Sequence, residues 1–178
     1  LRPASGETSL RDGTEEQRVF VKMALGTPDF AILEGPPGSG KTTAICELIA
    51  QITRQGKRVM LVASTHVAVD NVLERIIEWQ DRPEITDRPV LPVRIDPNDS
   101  VTSETVKPWT LGEQLRTWPA ELRDFIDNPV GGTPEGDGAR EILKTALVTG
   151  EHEEKVSPIA RMLLESANLV CGTTIGIL

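Results

Sequence analysis

The sequence predicts an α/β fold in which a parallel sheet is flanked by helices. Three observations support this. Amphipathic helical patterns alternate with short apolar runs along the first half of the chain. Such runs are typical of parallel strands buried on both faces. A glycine-rich turn joins the first apolar run directly to a helix. The alternation implies right-handed crossovers, so we expect ligands to bind at the carboxyl ends of the strands.

The first predicted helix begins at a capping box. Thr14 is the N-cap, Gln17 is its reciprocal partner, and the helix extends to about Leu25, before a Gly-Thr-Pro stop. Residues 1–13 are predicted to be an N-terminal arm. The apolar residues 30–33 are predicted to form the first buried strand.

Two further helices and one strand complete the first part of the predicted core. Helical spacing of apolar residues predicts helices over 41–54 and 67–80, and the run 58–63 predicts a buried strand between them. Residues 168–173 return to a buried-strand pattern. The core is therefore predicted over 14–80 and 167–178.

Residues 81–166 are predicted to form a mainly helical insertion. The segment is rich in proline at its start and contains one short strand candidate, residues 92–95. Its helices are predicted at about 111–127, interrupted near Pro119, at 139–148, and at 157–167 with Ser157 as N-cap.

Composition limits the function classes. The 27 acidic and 19 basic residues give a net charge of −8, which argues against a general nucleic-acid coat but not against a narrow track on one face. No apolar run approaches the ~20 residues that span a bilayer. Cys46 and Cys171 lie far apart and indicate neither a disulfide framework nor a zinc site. We expect a cytoplasmic protein, or a nuclear one in a eukaryote.

The glycine-rich turn fits the phosphate-binding pattern G-x-x-x-x-G-K-[ST] in full. Glycines let the backbone adopt positive φ and approach oxygen atoms, so that the N–H groups form a concave anion site. The following helix directs its positive end at the same place. The predicted ATP-binding residues are Gly35, Pro36, Pro37, Gly38, Ser39, Gly40, Lys41, Thr42 and Thr43.

Two residues of this loop are predicted to act on the triphosphate and its metal. Lys41 supplies a mobile positive charge for the β- and γ-phosphates. The Thr42 hydroxyl is a hard oxygen ligand suited to Mg²⁺. We therefore expect ATP and Mg²⁺ as cofactors, with Lys41 and Thr42 as the catalytic residues of the loop.

Small polar residues follow the second predicted strand. Ser64, Thr65 and His66 lie at its carboxyl end, where they could donate to the phosphates of a single strand. The alternative is that Ser64 or Thr65 caps the next helix and His66 is a surface residue.

These motifs resemble those of the superfamily 1 helicases. The loop GPPGSGKT is followed by GKRVMLVASTHVAVDNVLERI, and Ala68-Val69-Asp70-Asn71 is similar to the element after the second strand in that family. The most similar branch contains the RNA-surveillance helicases and the replication helicase-nucleases. The resemblance covers residues 10–96 and 168–174. It implies a RecA-like P-loop NTPase lobe.

The resemblance also implies further ligand contacts. In the family, a glutamine upstream of the first strand reads the adenine edge, and Gln17 is in a suitable place; its alternative role is the capping box. The residues implied to contact single-stranded nucleic acid are Ser64, Thr65, His66, Asn71, Thr173 and Thr174. The chain departs from the family pattern at Ser39, usually Thr, at Gly13, often Leu, and at His66, often Asn.

The carboxylates that such an ATPase needs are not recognisable. No apolar run ends in Asp-Glu, although that pair normally orients the Mg²⁺ shell and activates water. The sequence is therefore interpreted as the front part of a longer ATP-dependent helicase or translocase, whose second RecA-like lobe follows. By itself it is expected to bind nucleotide weakly and hydrolyse almost none. The alternatives are another P-loop enzyme, such as a nucleotide kinase or AAA-type ATPase, and a non-catalytic nucleotide-binding module.

Overall fold

The computed structural model describes residues 14–80, 89–96, 103–127, 138, 141–145 and 158–177. The predicted arm, residues 1–13, lies outside them. The helices are α1 (Glu15–Gly26), α2 (Lys41–Arg54), α3 (His66–Gln80), α4 (Leu111–Asp127) and α5 (Pro158–Ser166), with a 3₁₀ turn at Lys107–Trp109. The strands are β1 (Val59–Ala63), β2 (Pro92–Ile95) and β3 (Leu169–Thr173). Residues 141–145 are also helical, inside the helix predicted over 139–148.

The three strands form one parallel sheet in the order β1-β3-β2. Leu61 of β1 is paired with Cys171 of β3, which is also paired with Arg94 of β2. β3 lies in the middle although it is the last of the three strands in the chain, since it pairs with β1 on one side and with β2 on the other. The predicted α/β architecture, a parallel sheet flanked by helices, is confirmed.

The predicted strand over residues 30–33 is not formed in the described structure. Ala31 and Leu33 pack against the contact between α1 and α2, whereas Phe30 and Ile32 are 77% and 67% exposed. The apolar pattern is that of a strand, but a strand also requires a neighbour with which to exchange backbone hydrogen bonds. No described strand pairs with this segment.

The core lies between the sheet and helices α2 and α3. Leu73 and Ile76 of α3, Ile49 of α2 and Leu169 of β3 are almost completely buried in it. α1 packs on α2 through a smaller cluster around Phe20, Val21 and Ala44. This packing holds the start of α2 in place, and with it the loop that precedes α2.

Helix α4 runs through Pro119, where the sequence predicted an interruption. Proline removes one backbone donor and strains the preceding turn, but it does not end a helix that is anchored on both sides. Before it, the Gln114 amide donates to the Pro92 carbonyl at 3.3 Å. After it, Ile126 is buried. In the described part of the chain, no helix combines the length and apolarity that crossing a bilayer requires.

Candidate functional site

The predicted phosphate loop is exposed and is shaped by two left-handed glycines. Gly38 and Gly40 have φ values of +79° and +78°, which L side chains rarely adopt. The Ser39 N–H donates to the Pro36 carbonyl at 3.3 Å, closing a turn. Gly40 is the N-cap of α2 and supplies no side-chain cap. The first N–H groups of α2 therefore lie beside the loop without a capping side chain, as an anion site requires.

The Lys41 ammonium lies against the loop that it follows. It donates to the carbonyls of Gly35 at 2.6 Å and Pro36 at 2.8 Å, and lies 3.5 Å from the Ser39 hydroxyl. These contacts bring a full positive charge to the middle of the loop. The three acceptors are neutral, so the charge is not cancelled by an acidic partner in these bonds.

Gln17 joins the start of α1 to the phosphate loop. The side-chain oxygen of Gln17 accepts from the Thr14 N–H at 3.0 Å. The backbone N–H of Gln17 donates to the Thr14 hydroxyl at 3.4 Å, which completes the predicted capping box. Its amide nitrogen donates to the carbonyls of Ser39 at 3.1 Å and Gly40 at 3.4 Å. Gln17 therefore caps a helix and holds the loop with the same side chain, a link that the sequence did not predict.

The N-terminal capping region of α1 also changes the pKa of one carboxyl group, that of Glu16. The pKa of Glu16 is lowered because the carboxylate accepts a hydrogen bond from its own backbone N–H and, secondarily, from the Thr14 hydroxyl. Acidic residues in the first turn of a helix also interact favourably with the positive end of the helix dipole. Glu16 belongs to α1 and takes no part in the loop.

The residues predicted to act with Mg²⁺ lie in the first turn of α2. Thr42 is half-buried, next to Thr43, whose hydroxyl accepts from Arg75 of α3 at 2.5 Å. Within the described ranges, no group of three or more His, Cys, Asp or Glu residues could hold a metal ion. A hydroxyl, an ammonium and turned backbone N–H groups are nevertheless the donor set that a magnesium-bound triphosphate needs from this side. The loop fits that ligand.

The polar residues after β1 lie together at the carboxyl edge of the sheet. The Thr65 hydroxyl accepts from the Ala68 N–H at 3.3 Å, so Thr65 caps α3, as the structural alternative predicted. Ser64, Thr65 and Asn71 are exposed, and His66 is partly exposed. The N-terminus of α3 thus faces solvent beside these side chains.

The turn after β3 lies next to this edge. The Thr174 N–H donates to the Ala63 carbonyl at 3.0 Å, which ties the turn to the end of β1. Thr173 is buried, and its hydroxyl accepts from the Gly176 N–H at 3.1 Å. Thr174 is exposed. The structure therefore brings Thr174 to the same edge as Thr65 and assigns Thr173 a bond within its own turn.

A buried ionic cluster underlies this edge, and the sequence analysis missed it. The fully buried Arg94 of β2 donates from Nε to the Asp70 carboxylate at 2.6 Å. Its Nη1 lies 3.5 Å from the buried Asp96 carboxylate, and its Nη2 lies 2.9 Å from Nδ1 of His66. A single arginine inside an otherwise apolar strand could have indicated such a cluster, because a buried charge requires a partner.

Both cysteines are buried and free. Burial raises the pKa of the Cys46 thiol to about 12 and that of the Cys171 thiol to about 12. A thiol that stays protonated is a poor nucleophile and a poor metal ligand. Neither cysteine contributes chemistry to the site.

Comparison with known proteins identifies related sequences. The model of one protein family, described as an AAA domain, matches residues 13–125, which include the phosphate loop and β1 to α4. The matched stretch is more than half of the chain.

Three curated relatives carry shorter matches of 60 residues each, covering 34% of this chain. The DNA-binding protein SMUBP-2 of Mus musculus is 45% identical over 6% of its own length. The DNA replication ATP-dependent helicase/nuclease DNA2 of Saccharomyces cerevisiae is 42% identical over 4%, and the DNA polymerase alpha-associated DNA helicase A of Schizosaccharomyces pombe is 33% identical over 9%. The chain spans less than a tenth of the length of each.

Proposed function

This chain belongs to the AAA domain family and, with its relatives, to the superfamily 1 helicases; on that premise we propose that it is the ATP-binding N-terminal part of an ATP-dependent DNA or RNA helicase or single-strand translocase. The observation that carries the proposal is the phosphate loop. Its two left-handed glycines lie directly before the uncapped start of α2, and Lys41 is already directed into it. That arrangement is suited to a polyphosphate.

Each part of the loop has a role in binding Mg-ATP. The backbone N–H groups from Gly38 to Lys41 hold the phosphate oxygens. Lys41 exchanges its bonds to neutral carbonyls for charge-assisted bonds to the β- and γ-phosphates, which are about twice as strong. Thr42 would supply a hydroxyl oxygen to Mg²⁺, which would contribute positive charge beside the phosphates. The amide of Gln17, which already touches the loop, reads the adenine edge.

The proposed core, 14–80 with 167–178, is part of a lobe that further strands complete. The apolar residues Phe30, Ile32, Met60 and Val62 are each more than 40% exposed. Exposed apolar area on this scale is expected to be covered in a complete lobe. The water-activating carboxylates and a second RecA-like lobe are proposed to lie in the remainder of the parent protein. The 178 residues alone therefore hydrolyse almost no ATP.

The carboxyl edge of the sheet is the proposed track for single-stranded DNA or RNA. Ser64, Thr65 and Thr174 present hydroxyls there, beside the N-terminus of α3. Such contacts hold the phosphate backbone without reading bases, which agrees with a protein whose net charge is −8 and whose basic footprint is small. Asn71 and His66 complete the proposed contact set, whereas Thr173 is buried and accepts a hydrogen bond within its own turn.

The parent protein would couple these two sites through its lobes. ATP in the cleft draws the lobes together and hydrolysis lets them part, while each lobe holds the single strand with a different affinity in each state. Cycling moves the protein along the strand. Residues 81–166 are the proposed insertion, although β2 within them is part of the parallel sheet. A cytoplasmic location, or a nuclear one in a eukaryote, remains a prediction.

Binding of a fluorescent ATP analogue with Mg²⁺ tests the proposal on the 178-residue chain. Lys41→Ala is expected to weaken binding at least tenfold, because it removes a charged donor worth about 1.5–3 kcal/mol. Lys57→Ala, at an exposed position next to β1, is the matched control and should bind like wild type. Equal affinity of the Lys41 variant would refute the phosphate-loop assignment.

Two further measurements separate the remaining assignments. Gln17→Ala should reduce affinity for ATP more than for GTP if Gln17 reads adenine, and equally for both if it acts only through the loop. ATP hydrolysis by the full-length parent should rise strongly with single-stranded nucleic acid. An unstimulated parent would instead favour a nucleotide kinase or a non-catalytic nucleotide-binding module.

A further inference from the structure

The contact with the buried cluster at the carboxyl edge determines which ring nitrogen of His66 carries a hydrogen. Nη2 of Arg94 lies 2.9 Å from Nδ1 of His66, within hydrogen-bond distance. An arginine side chain carries five N–H donors and no acceptor, and it stays protonated in proteins. The contact is therefore a hydrogen bond only if Nδ1 accepts. Nδ1 then carries no hydrogen, so the imidazole is neutral and its hydrogen is on Nε2.

The position of Arg94 is itself determined by two carboxylates. Its Nε donates to Asp70 of α3 at 2.6 Å, and its Nη1 lies 3.5 Å from Asp96 at the end of β2. The side chains of Arg94, Asp70 and Asp96 are at most 3% exposed. The guanidinium is planar and rigid, so fixing two of its nitrogens also fixes the direction in which Nη2 points.

Asp96 is the competitor for the same ring nitrogen. Its Oδ2 lies 3.4 Å from Nδ1 of His66, beyond the usual length of a neutral hydrogen bond but near enough to accept one after a small shift. If Arg94 were absent, a carboxylate in this place would favour hydrogen on Nδ1, which is the opposite tautomer. Arg94 thus decides between two arrangements of one imidazole.

His66 also lies where the proposed single strand would pass. Its side chain is 36% exposed, whereas the cluster beneath it is closed to solvent. It is the first residue of α3, adjacent in sequence to the exposed Thr65 and Ser64. A ring nitrogen that donates at this position adds a hydrogen-bond donor to the positive end of the helix.

We propose that Arg94 is a positioning residue that fixes His66 as the neutral Nε2–H tautomer, and that Nε2–H donates to a phosphate oxygen of single-stranded nucleic acid. This proposal rests on the proposed function for its ligand. It adds that the histidine acts as an uncharged donor of fixed direction.

The tautomer can be measured without any ligand, by ¹⁵N NMR of the histidine-labelled 178-residue chain. The sequence contains only His66 and His152, so His152→Gln assigns both sets of signals. We expect a His66 spectrum with an unprotonated Nδ1 and a protonated Nε2 at pH 8. Asp96→Asn should keep that pattern, and Arg94→Lys should shift it towards Nδ1–H. A wild-type spectrum with hydrogen on Nδ1, or with the averaged signals of a free histidine, would overturn the positioning role.

Binding of a fluorescent oligothymidylate tests the donor role. His66→Ala should weaken binding about 2- to 10-fold at pH 8, the range of one neutral hydrogen bond. His66→Gln, whose amide nitrogen stands near the place of Nε2, should recover part of the loss. Unchanged affinity in His66→Ala would overturn the donor role. If wild type binds no oligonucleotide, the proposed nucleic-acid track and the donor role both fail, while the ¹⁵N spectrum still decides the role of Arg94.

Discussion

The phosphate loop and the carboxyl edge of the sheet are both proposed to bind phosphate, but they are constructed in different ways. The loop is made of backbone groups from consecutive residues, and its special conformation comes from Gly38 and Gly40. The edge presents side chains that follow β1 and β3, and beneath them Arg94 of β2 is bonded to Asp70 of α3, 24 residues away in the chain. The first site is local and exposed. The second is held by a buried charge network that exists only after the sheet has formed.

This difference predicts how strongly a substitution in each region lowers the free energy of unfolding. In the loop, a substitution changes backbone geometry or removes one charge, and the rest of the molecule tolerates it. Beneath the edge, a substitution leaves a charge uncompensated in the interior, which costs more free energy than the lost contact itself. Three predictions test the comparison, in order of decreasing effect.

The largest effect is expected from Asp70→Ala. It leaves the fully buried Arg94 without its shortest carboxylate partner, so the free energy of unfolding should fall by about 3–5 kcal/mol. Denaturant unfolding of the 178-residue chain measures it. The exposed pair Arg161–Glu165 provides the control, since Glu165→Ala should cost at most about 1 kcal/mol. Similar losses in both variants would remove the distinction between the two regions.

A smaller effect is expected from Gly40→Ala in the loop. At φ +78° an L side chain costs about 1–2 kcal/mol, and a Cβ would also meet the Gln17 amide. Stability should fall by that amount and affinity for the ATP analogue should fall with it. Gly26→Ala, at a glycine with open space around it, is the control and should be neutral or slightly stabilising.

The variant Gln17→Ala/Gly40→Ala then separates the two causes. Removing the Gln17 amide relieves the contact but not the backbone strain. If the double variant is as stable as Gln17→Ala alone, strain at Gly40 contributes nothing and the loop is less constrained than its φ values indicate.

The effect that is smallest at neutral pH, and that grows only in alkaline solution, concerns the two thiols of the core. Burial raises the pKa of Cys46 and Cys171 to about 12 each, above the unfolded value of about 8.5. A raised folded pKa means that their stabilising contribution is complete below the unfolded pKa. It is lost as the pH rises from there towards about 12, by at most about 1.4 kcal/mol per pH unit for each thiol.

Unfolding measured between pH 8 and pH 10.5 tests this. The chain has no tyrosine, so no phenol titrates in the same interval. Cys46→Ala/Cys171→Ala should be less stable at pH 8 because of its cavities but should show a flatter pH dependence. An identical slope in the double variant would mean that the thiols do not contribute to alkaline unfolding.

Most secondary structure was predictable because its signals are local. The capping box at Thr14, the apolar spacing of α2 and α3, and the apolar run of β3 each lie within one segment, and each predicted element formed within two residues of its expected bounds. The two errors arise where a local pattern is overridden. Residues 30–33 have the pattern of a strand but no described pairing partner. Pro119 has the chemistry of a helix breaker but lies between two anchored turns of α4.

By itself, the sequence determined the glycine-rich turn before α2 and the order of the helices and of three of the four predicted strands, because glycine conformation, helix capping and apolar periodicity act within a few residues. Tertiary structure alone decided that β3 lies between β1 and β2, that Gln17 holds the loop as well as its own helix, and that Arg94 is bonded to Asp70 and His66. These contacts depend on distances between segments that are remote in the chain. A buried arginine in a strand indicates that partners exist, but only the packed sheet brings those partners within hydrogen-bond reach.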